Sequence, residues 1–575
     1  MKSRTSFFNY ATFKKNVTRF WPIWGAYLFC LVLSAPLTFL ICKSVGVHAL
    51  KYYARDIEDA AIVLMPTVAM FMSGLSVMAV FSYLFKSNRV DFTHSLPIKR
   101  SSLFVTNYIS GFCFTLIPNL IISAVMIVLM GLNGVNCTVI FKVFFAITLM
   151  TVFYYGLAVF CAMICANAVA MPMVYLAINF LAVGINGIVS LLGSMFLKGY
   201  EAALIPASRI LTPIVNMYIF DEHDINMVYL SKMSAYAIVG IVLTICAYLL
   251  YRIKKSESAG DIASFKPIRY VFRYLLGGIG AYTVGLLLFY IFENIFLTQR
   301  KSMGGFILFM LTTLFGALLL YYVFEMFALK KFKVFKGSLK GVLPLVIAVI
   351  LISLFTFFDL FGYSTRIPDI SDVESVRVNI DYSQRLESDD VDFIKLVRST
   401  HTLIASSETE EYGASFEVEY RLESGNLLKR RYRYYRDDEL ISGAIVELLE
   451  APATNNAVAD MLEDNEVHDF NIYRDNDYID VNSYANGDAL VKALINDIRG
   501  GAKLKFETGY ETYPYEEYKN FYKIYVYFHG YNLSVHCLVD ESFTETWGYL
   551  QTLERMAKGL DAPVAVYHTE PLTSI

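Results

Sequence analysis

Nine stretches of predominantly apolar residues, each long enough to cross a bilayer, fall within the first 361 positions of this 575-residue chain. A helix rises 1.5 Å per residue, so about 20 residues cross the ~30 Å hydrocarbon core, where a backbone must satisfy its own hydrogen bonds. The stretches run over 22–42, 61–85, 103–131, 143–165, 169–197, 233–251, 271–292, 304–327 and 342–361. The fourth and fifth form one almost uncharged run from Val143 to Leu197, too long for a single crossing, and Ala166-Asn167-Ala168 is the expected tight turn. The balance of 56% hydrophobic to 18% charged residues points the same way. Met1 to Arg19 is basic but is not followed by a short apolar region with a cleavage site, so the first stretch is expected to remain as a span.

Charge divides the chain. Residues 1–361 carry 29 Lys and Arg against 13 Asp and Glu, whereas residues 362–575 carry 20 against 39. The split marks a domain boundary that the total of -3 conceals. Basic loops are retained on the cytoplasmic side. With a cytoplasmic amino terminus the inner segments hold 19 Lys and Arg and the outer loops 9, and an odd number of crossings then places 362–575 outside. Of the cysteines only Cys537 lies in the acidic part, which must therefore be held by its core rather than by an internal disulfide.

That part mixes strand and helix signals. Ser415 to Leu422 and Leu427 to Tyr435 flank Glu423-Ser424-Gly425-Asn426, and Tyr522 to Phe528 and Leu533 to Val539 flank His529-Gly530-Tyr531-Asn532. Two hairpins are expected. Helices are expected near 391–405, 438–450, 487–499 and 543–558, the last opened by Ser542 and Glu545 at capping-box spacing and closed by Gly559. The fold class is an α-helical polytopic membrane protein of about nine transmembrane helices followed by a soluble α+β domain. No repeat with a period of 20 to 50 residues is visible.

The loop between the second and third stretches, Lys86 to Ser102, mixes charged and apolar residues, breaks at Pro97 and restarts a helix behind Ser101 or Ser102 as N-cap. It reads either as a short helix lying across the inner membrane face or as a solvated turn whose Lys99 and Arg100 anchor the next span among headgroups. Within it, Asp91-Phe92-Thr93-His94-Ser95-Leu96-Pro97-Ile98-Lys99-Arg100 resembles the D-x-x-H-S-L-P-[IV]-[KR]-R loop of bacterial ABC exporter permeases of the ABC-2 class.

The resemblance implies that this loop is a coupling helix seated in a groove of a separate ATP-binding subunit, with Asp91, Phe92, His94, Leu96, Pro97, Lys99 and Arg100 as contact residues. It further implies an interfacial helix before the first span, for which Phe7, Phe8, Tyr10, Phe13, Phe20 and Trp21 among Lys14, Lys15 and Arg19 are suited; an ordinary basic aromatic flank is the other reading. Residues 1–251 match a six-span permease core, 252–361 add three spans, and 362–575 form an extracellular acidic α+β domain, as in a long Gram-positive variant. Ala202 to Phe220, broken by Pro206, Arg209 and Pro213, is either a re-entrant element or an outer loop.

The chain has no G-x-x-x-x-G-K-[ST] phosphate loop, so an ATPase would be a separate polypeptide. Cys161 and Cys165 lack accompanying His or carboxylate, and Asp475, Asp477 and Asp480 miss the calcium-loop spacing. No catalytic residue, metal, cofactor or nucleic acid is expected. Glu293 and Asp359 are read as outer interfacial groups and Glu325 as an inner one, with no buried charge pair to suggest proton coupling. The expected protein is a multi-pass permease subunit in a bacterial plasma membrane, embedded in lipid and working with a cytoplasmic ATP-binding subunit and a second permease copy or paralogue. The alternative is a membrane-anchored sensor or assembly protein whose outer domain binds a ligand.

Overall fold

The computed structural model describes residues 7–45, 47–202, 205–218, 225–254, 264, 266–296, 300–329, 331–381, 384–407, 413–435, 438–465, 467–474, 477–479, 487–506, 521–528 and 533–557. Among the described residues, nine helices are long and apolar enough to cross a membrane: Trp21–Val45, Arg55–Val80, Arg100–Leu132, Thr138–Ile164, Ala170–Phe196, Met227–Ile253, Arg273–Phe296, Met303–Met326 and Ser338–Phe357, here spans 1 to 9. The chain forms two compact units, Met1–Val189 with Ala203–Ser353, and Ser190–Ala202 with Leu354–Ile575.

In the first unit, α1 (Tyr10–Arg19) precedes span 1, which loosens to a π-helical turn over Leu33–Leu37 at the internal Pro36. The helix of span 2 begins earlier than the apolar run predicts, at Val47, because a charged stretch such as Arg55 to Asp59 can continue a helix wherever its side chains find partners. Spans 4 and 5 do part near Asn167, whose side chain accepts a hydrogen bond from Val169 N and closes the turn. Span 4 is the central helix, packed against spans 2, 3 and 6 around Phe81, Phe104, Tyr154, Tyr155 and Met163. It meets span 6 at Gly156 and Gly240, where a Cβ on either residue would run into the other span's backbone. Two short helices, α3 (Pro206–Leu211) and α4 (Pro213–Tyr218), follow span 5, each with proline in its first turn, where the missing N–H costs nothing.

The second unit carries a nine-stranded antiparallel sheet. In chain order its strands are β1 (Val373–Ile380), β2 (Gln384–Ser388), β3 (Ala414–Leu422), β4 (Leu427–Tyr434), β5 (Val467–Arg474), β6 (Asp477–Ile479), β7 (Lys505–Phe506), β8 (Tyr522–Phe528) and β9 (Ser534–Val539). Their spatial order is β4-β3-β1-β2-β9-β8-β5-β6, with β7 beside β9. Helices α5 (Val391–Ser406), α6 (Glu439–Glu450), α7 (Pro452–Asp464), α8 (Gly487–Arg499) and α9 (Thr544–Ala557) bury residues such as Val397, Ile445, Met461, Leu494 and Leu550 against the inward-facing strand residues. Both predicted hairpins form, although the turn at 529–532, like Gly559, Asp475 and Asp480, lies outside the described residues.

The sheet is built from two halves of the same connectivity. Apart from α7, between the halves, and β7, inserted after α8, the run β1-β2-α5-β3-β4-α6 is repeated as β5-β6-α8-β8-β9-α9, with strand orders β4-β3-β1-β2 and β9-β8-β5-β6. This repeat is far longer than a period of 20 to 50 residues. Among the described residues the halves meet through one ladder pair, Arg385 with Ser534, and the buried Gln384 side chain extends the seam by donating to His536 O at 2.7 Å and accepting from His536 N at 3.0 Å. The cap of α9 also differs from expectation. Asp497 on α8, rather than Ser542, accepts from Glu545 N and Thr546 N, at 3.1 and 2.7 Å, because tertiary packing brings a carboxylate to that helix end.

Candidate functional site

The loop singled out in the sequence folds as α2 (Ser87–Ser95), reached from span 2 through a 3-10 turn over Ser82–Phe85. It ends at Leu96, whose backbone is extended (φ -65°, ψ 145°) because a residue before proline is driven out of the helical region by the Pro97 ring. The next helix starts at Arg100 with Lys99 as N-cap, so neither Ser101 nor Ser102 caps it. Phe92 and Leu96 therefore do not share a helical face, since Leu96 lies past the helix end.

Both nevertheless point outward, 66% and 38% exposed, while Val90 is buried beneath them. Asp91, Pro97, Lys99 and Arg100 are exposed as well. His94 behaves differently. Its ring stands edge-on to Tyr83 and Tyr251, 6.4 Å from each, and the two tyrosine hydroxyls hydrogen-bond at 3.0 Å. Burial, helped by the positive charge of Arg100 and opposed by Asp91, lowers its pKa. His94 thus fastens α2 to the ends of spans 2 and 6.

The loop also leads directly into α1 through span 3. Thr106 accepts from Asn9 N at 3.0 Å, and the buried Asn16 side chain donates to Asn107 and Ser110, at 2.8 and 3.3 Å. These bonds tie span 3 to the amino-terminal helix.

Charged groups that sequence reading undervalued lie elsewhere. Glu325, near the end of span 8, is 2% exposed and accepts from Arg273, at the start of span 7, at 2.6 Å, a largely buried charge pair where none was expected. Tyr274, which accepts from Arg273, donates to Gly341 O, and Tyr321 donates to Ser338 O, so one polar knot ties spans 7, 8 and 9. Glu293 pairs with Arg300, and buried Glu58 accepts from Lys142 and from Ile225 N. Asp359 lies past the end of span 9, where it accepts from Tyr363 N and Ser364 N. The signal missed for Arg273 and Glu325 was a cation and an anion at the same end of an antiparallel helix pair.

In the second unit a cleft of about 280 Å³ opens on the sheet face away from the helices. Cross-strand pairs Arg377–Glu387, Lys429–Glu419 and Arg431–Glu417 line or border it, together with Asn379, Arg385 and Glu201. Burial raises the pKa of Glu201, while Arg431 opposes the shift. Among the described residues no group of three or more His, Cys, Asp and Glu is disposed to hold a metal ion. No protein-family model, curated protein or solved structure matches this chain.

Proposed function

We propose that this chain is a permease subunit of an ATP-driven exporter of the ABC-2 kind, engaged through residues 86–102 by a separate ATP-binding subunit. The observation that carries the reading is α2: a short helix between two spans, fixed from behind by Val90 and His94, that offers Phe92 and Leu96 to solvent between exposed Asp91, Lys99 and Arg100. An apolar pair within a charged rim is the composition of an interface centre. On this reading the amino terminus is cytoplasmic, residues 362–575 are extracellular in a bacterial plasma membrane, and two permease copies or paralogues form one pathway. Closure of the ATP-binding subunits would press on α2, and the bonds from span 3 to α1 would carry the displacement across the inner face.

Phe92→Ala with Leu96→Ala should abolish copurification of an ATPase while membrane insertion is kept, and Lys99→Ala should be mild, because buried anchors carry more than about 2 kcal/mol and exposed rim charges less than about 1. The reverse ranking would refute the coupling role and leave Lys99 and Arg100 as headgroup anchors. The second reading, a membrane-anchored sensor or assembly protein, is favoured by one feature, the charged cleft of the C-terminal domain. That reading predicts no associated ATPase.

A further inference from the structure

The helix-free face of the first sheet half carries its charges in stripes. On β3 the outward residues Glu417 and Glu419 are acidic, and opposite them on β4 stand Arg431 and Lys429. On β1 the same two glutamates face Asn379 and Arg377. Apart from Glu201, whose segment belongs to the same compact unit, every residue lining the cleft of about 280 Å³ lies on β1 to β4. Lys429 meets Glu419 at 2.5 Å and Arg431 pairs with Glu417, yet the two cationic side chains stay 40% and 38% exposed. Asn379 donates to Glu417 Oε2 at 3.0 Å, while its own Oδ1 is buried without a hydrogen-bond partner, an acceptor that the sheet does not use. The fold itself does not require this chemistry. At the same face the second half, of the same connectivity, carries Tyr473, Tyr525, Tyr527 and His536, alternating with the inward Ile472, Ile524 and Val526. Their rings stand 5.4 Å apart for Tyr473 and Tyr525, 4.5 Å for Tyr525 and His536, and 5.8 Å for Tyr527 and His536.

We infer that the cleft binds a small zwitterion of the dipeptide class, its ammonium on Glu417, Glu419 and Asn379 Oδ1 and its carboxylate on Lys429 and Arg431. The stripes stand one strand spacing apart, ~4.8 Å, and the two residues of a dipeptide reach at most ~7 Å, so its termini can address neighbouring stripes at once. A ligand with one sign of charge meets repulsion from the adjoining stripe, whereas one with both finds a partner for each. The ion pairs already present do not bar it: half-exposed pairs contribute little to stability, so each can turn an oxygen or an N–H to a ligand at small cost. With about 280 Å³ the cleft stands at the small end of ligand pockets, which suits a molecule of this size. Such a site serves a permease and a sensor alike, since every residue it uses lies within one domain.

Titration calorimetry on the full-length protein in lipid nanodiscs, against empty nanodiscs, tests it with three probes of similar size. Glycylglycine carries both charges, N-acetylglycylglycine only the anion and glycylglycinamide only the cation. Glycylglycine should bind at least tenfold more tightly than either of the others. Equal binding of one singly charged probe would overturn the zwitterion in favour of a plain anion or cation site, and no binding of any probe would refute the site. Glu417→Gln combined with Arg431→Gln removes one charge of each sign and leaves neither partner unpaired. It should weaken glycylglycine tenfold or more while hydrogen exchange shows the amides of β3 and β8 still protected. Unchanged affinity in that variant places the binding elsewhere and refutes the assignment. If it loses β3 protection, the neighbouring pair, Glu419→Gln with Lys429→Gln, replaces it with the same two readings.

Discussion

His401 on α5 is fully buried between Tyr420 and Tyr432, its ring nitrogens 3.0 and 2.9 Å from their hydroxyls, and burial with the nearby charges of Arg430 and Arg398 pulls its pKa down to about 4. In the unfolded chain it returns to about 6.5. Above that value both states hold neutral imidazole and pH has no effect through this group. As pH falls from 6.5 toward 4, the unfolded chain takes up a proton that the folded domain refuses, so stability declines with falling pH. At ~1.4 kcal/mol per unit, a drop from 6.5 to about 4 corresponds to roughly 3 kcal/mol, about a third of the stability of a typical domain. His401→Phe should remove this slope, and at pH 7 it should cost about 1–3 kcal/mol because two buried tyrosine hydroxyls lose their partner. Trp547 is the only tryptophan beyond residue 361, so with Trp21 and Trp24 replaced by Phe, its fluorescence reports urea unfolding of the domain in the full chain. Carboxylates titrate in both proteins, so the measured quantity is the difference between their stability curves. If wild type and His401→Phe run parallel from pH 6.5 to 4.5, His401 is not the acid-sensitive group and the argument fails.

Glu325→Gln leaves the Arg273 guanidinium buried without its counter-charge and should cost about 3 kcal/mol, whereas Arg273→Met combined with Glu325→Leu should cost less; loss of helicity in a denaturant titration ranks the two, and a double variant worse than the single one contradicts the account. Gln384→Leu should cost about 1–2 kcal/mol and speed exchange at His536, with the β3–β4 hairpin unaffected. Ser424 lies exposed in the β3–β4 turn, so Ser424→Cys, with the eight native cysteines changed to alanine, should react with an impermeant maleimide in intact cells. Labelling only after lysis reverses the proposed orientation.

The apolar lengths and the turn residues made the spans and the β3–β4 hairpin legible in the sequence, because each depends on residues adjacent in the chain. The bilayer-length rule fixed the number of spans, and Asn167 marked the turn that divides the longest run. Within the candidate loop, Pro97 announced the break. What the local pattern could not place was Leu96 outside the helix and His94 against Tyr83 and Tyr251, since Tyr251 is far away in sequence.

Other features were decided by tertiary structure alone. Short strands such as β6 and β7 gain their hydrogen bonds only from neighbours that folding supplies. The α9 cap comes from Asp497 on another helix, and the two-fold connectivity of the sheet is carried by element order rather than by repeated residues. The Arg273–Glu325 pair joins segments whose chemistry is ordinary when read singly. Sequence alone determined where the chain is apolar enough to leave water, because transfer free energy sums over consecutive residues; tertiary structure decided which polar groups meet, because a hydrogen bond or ion pair depends on distance in space and not on separation along the chain.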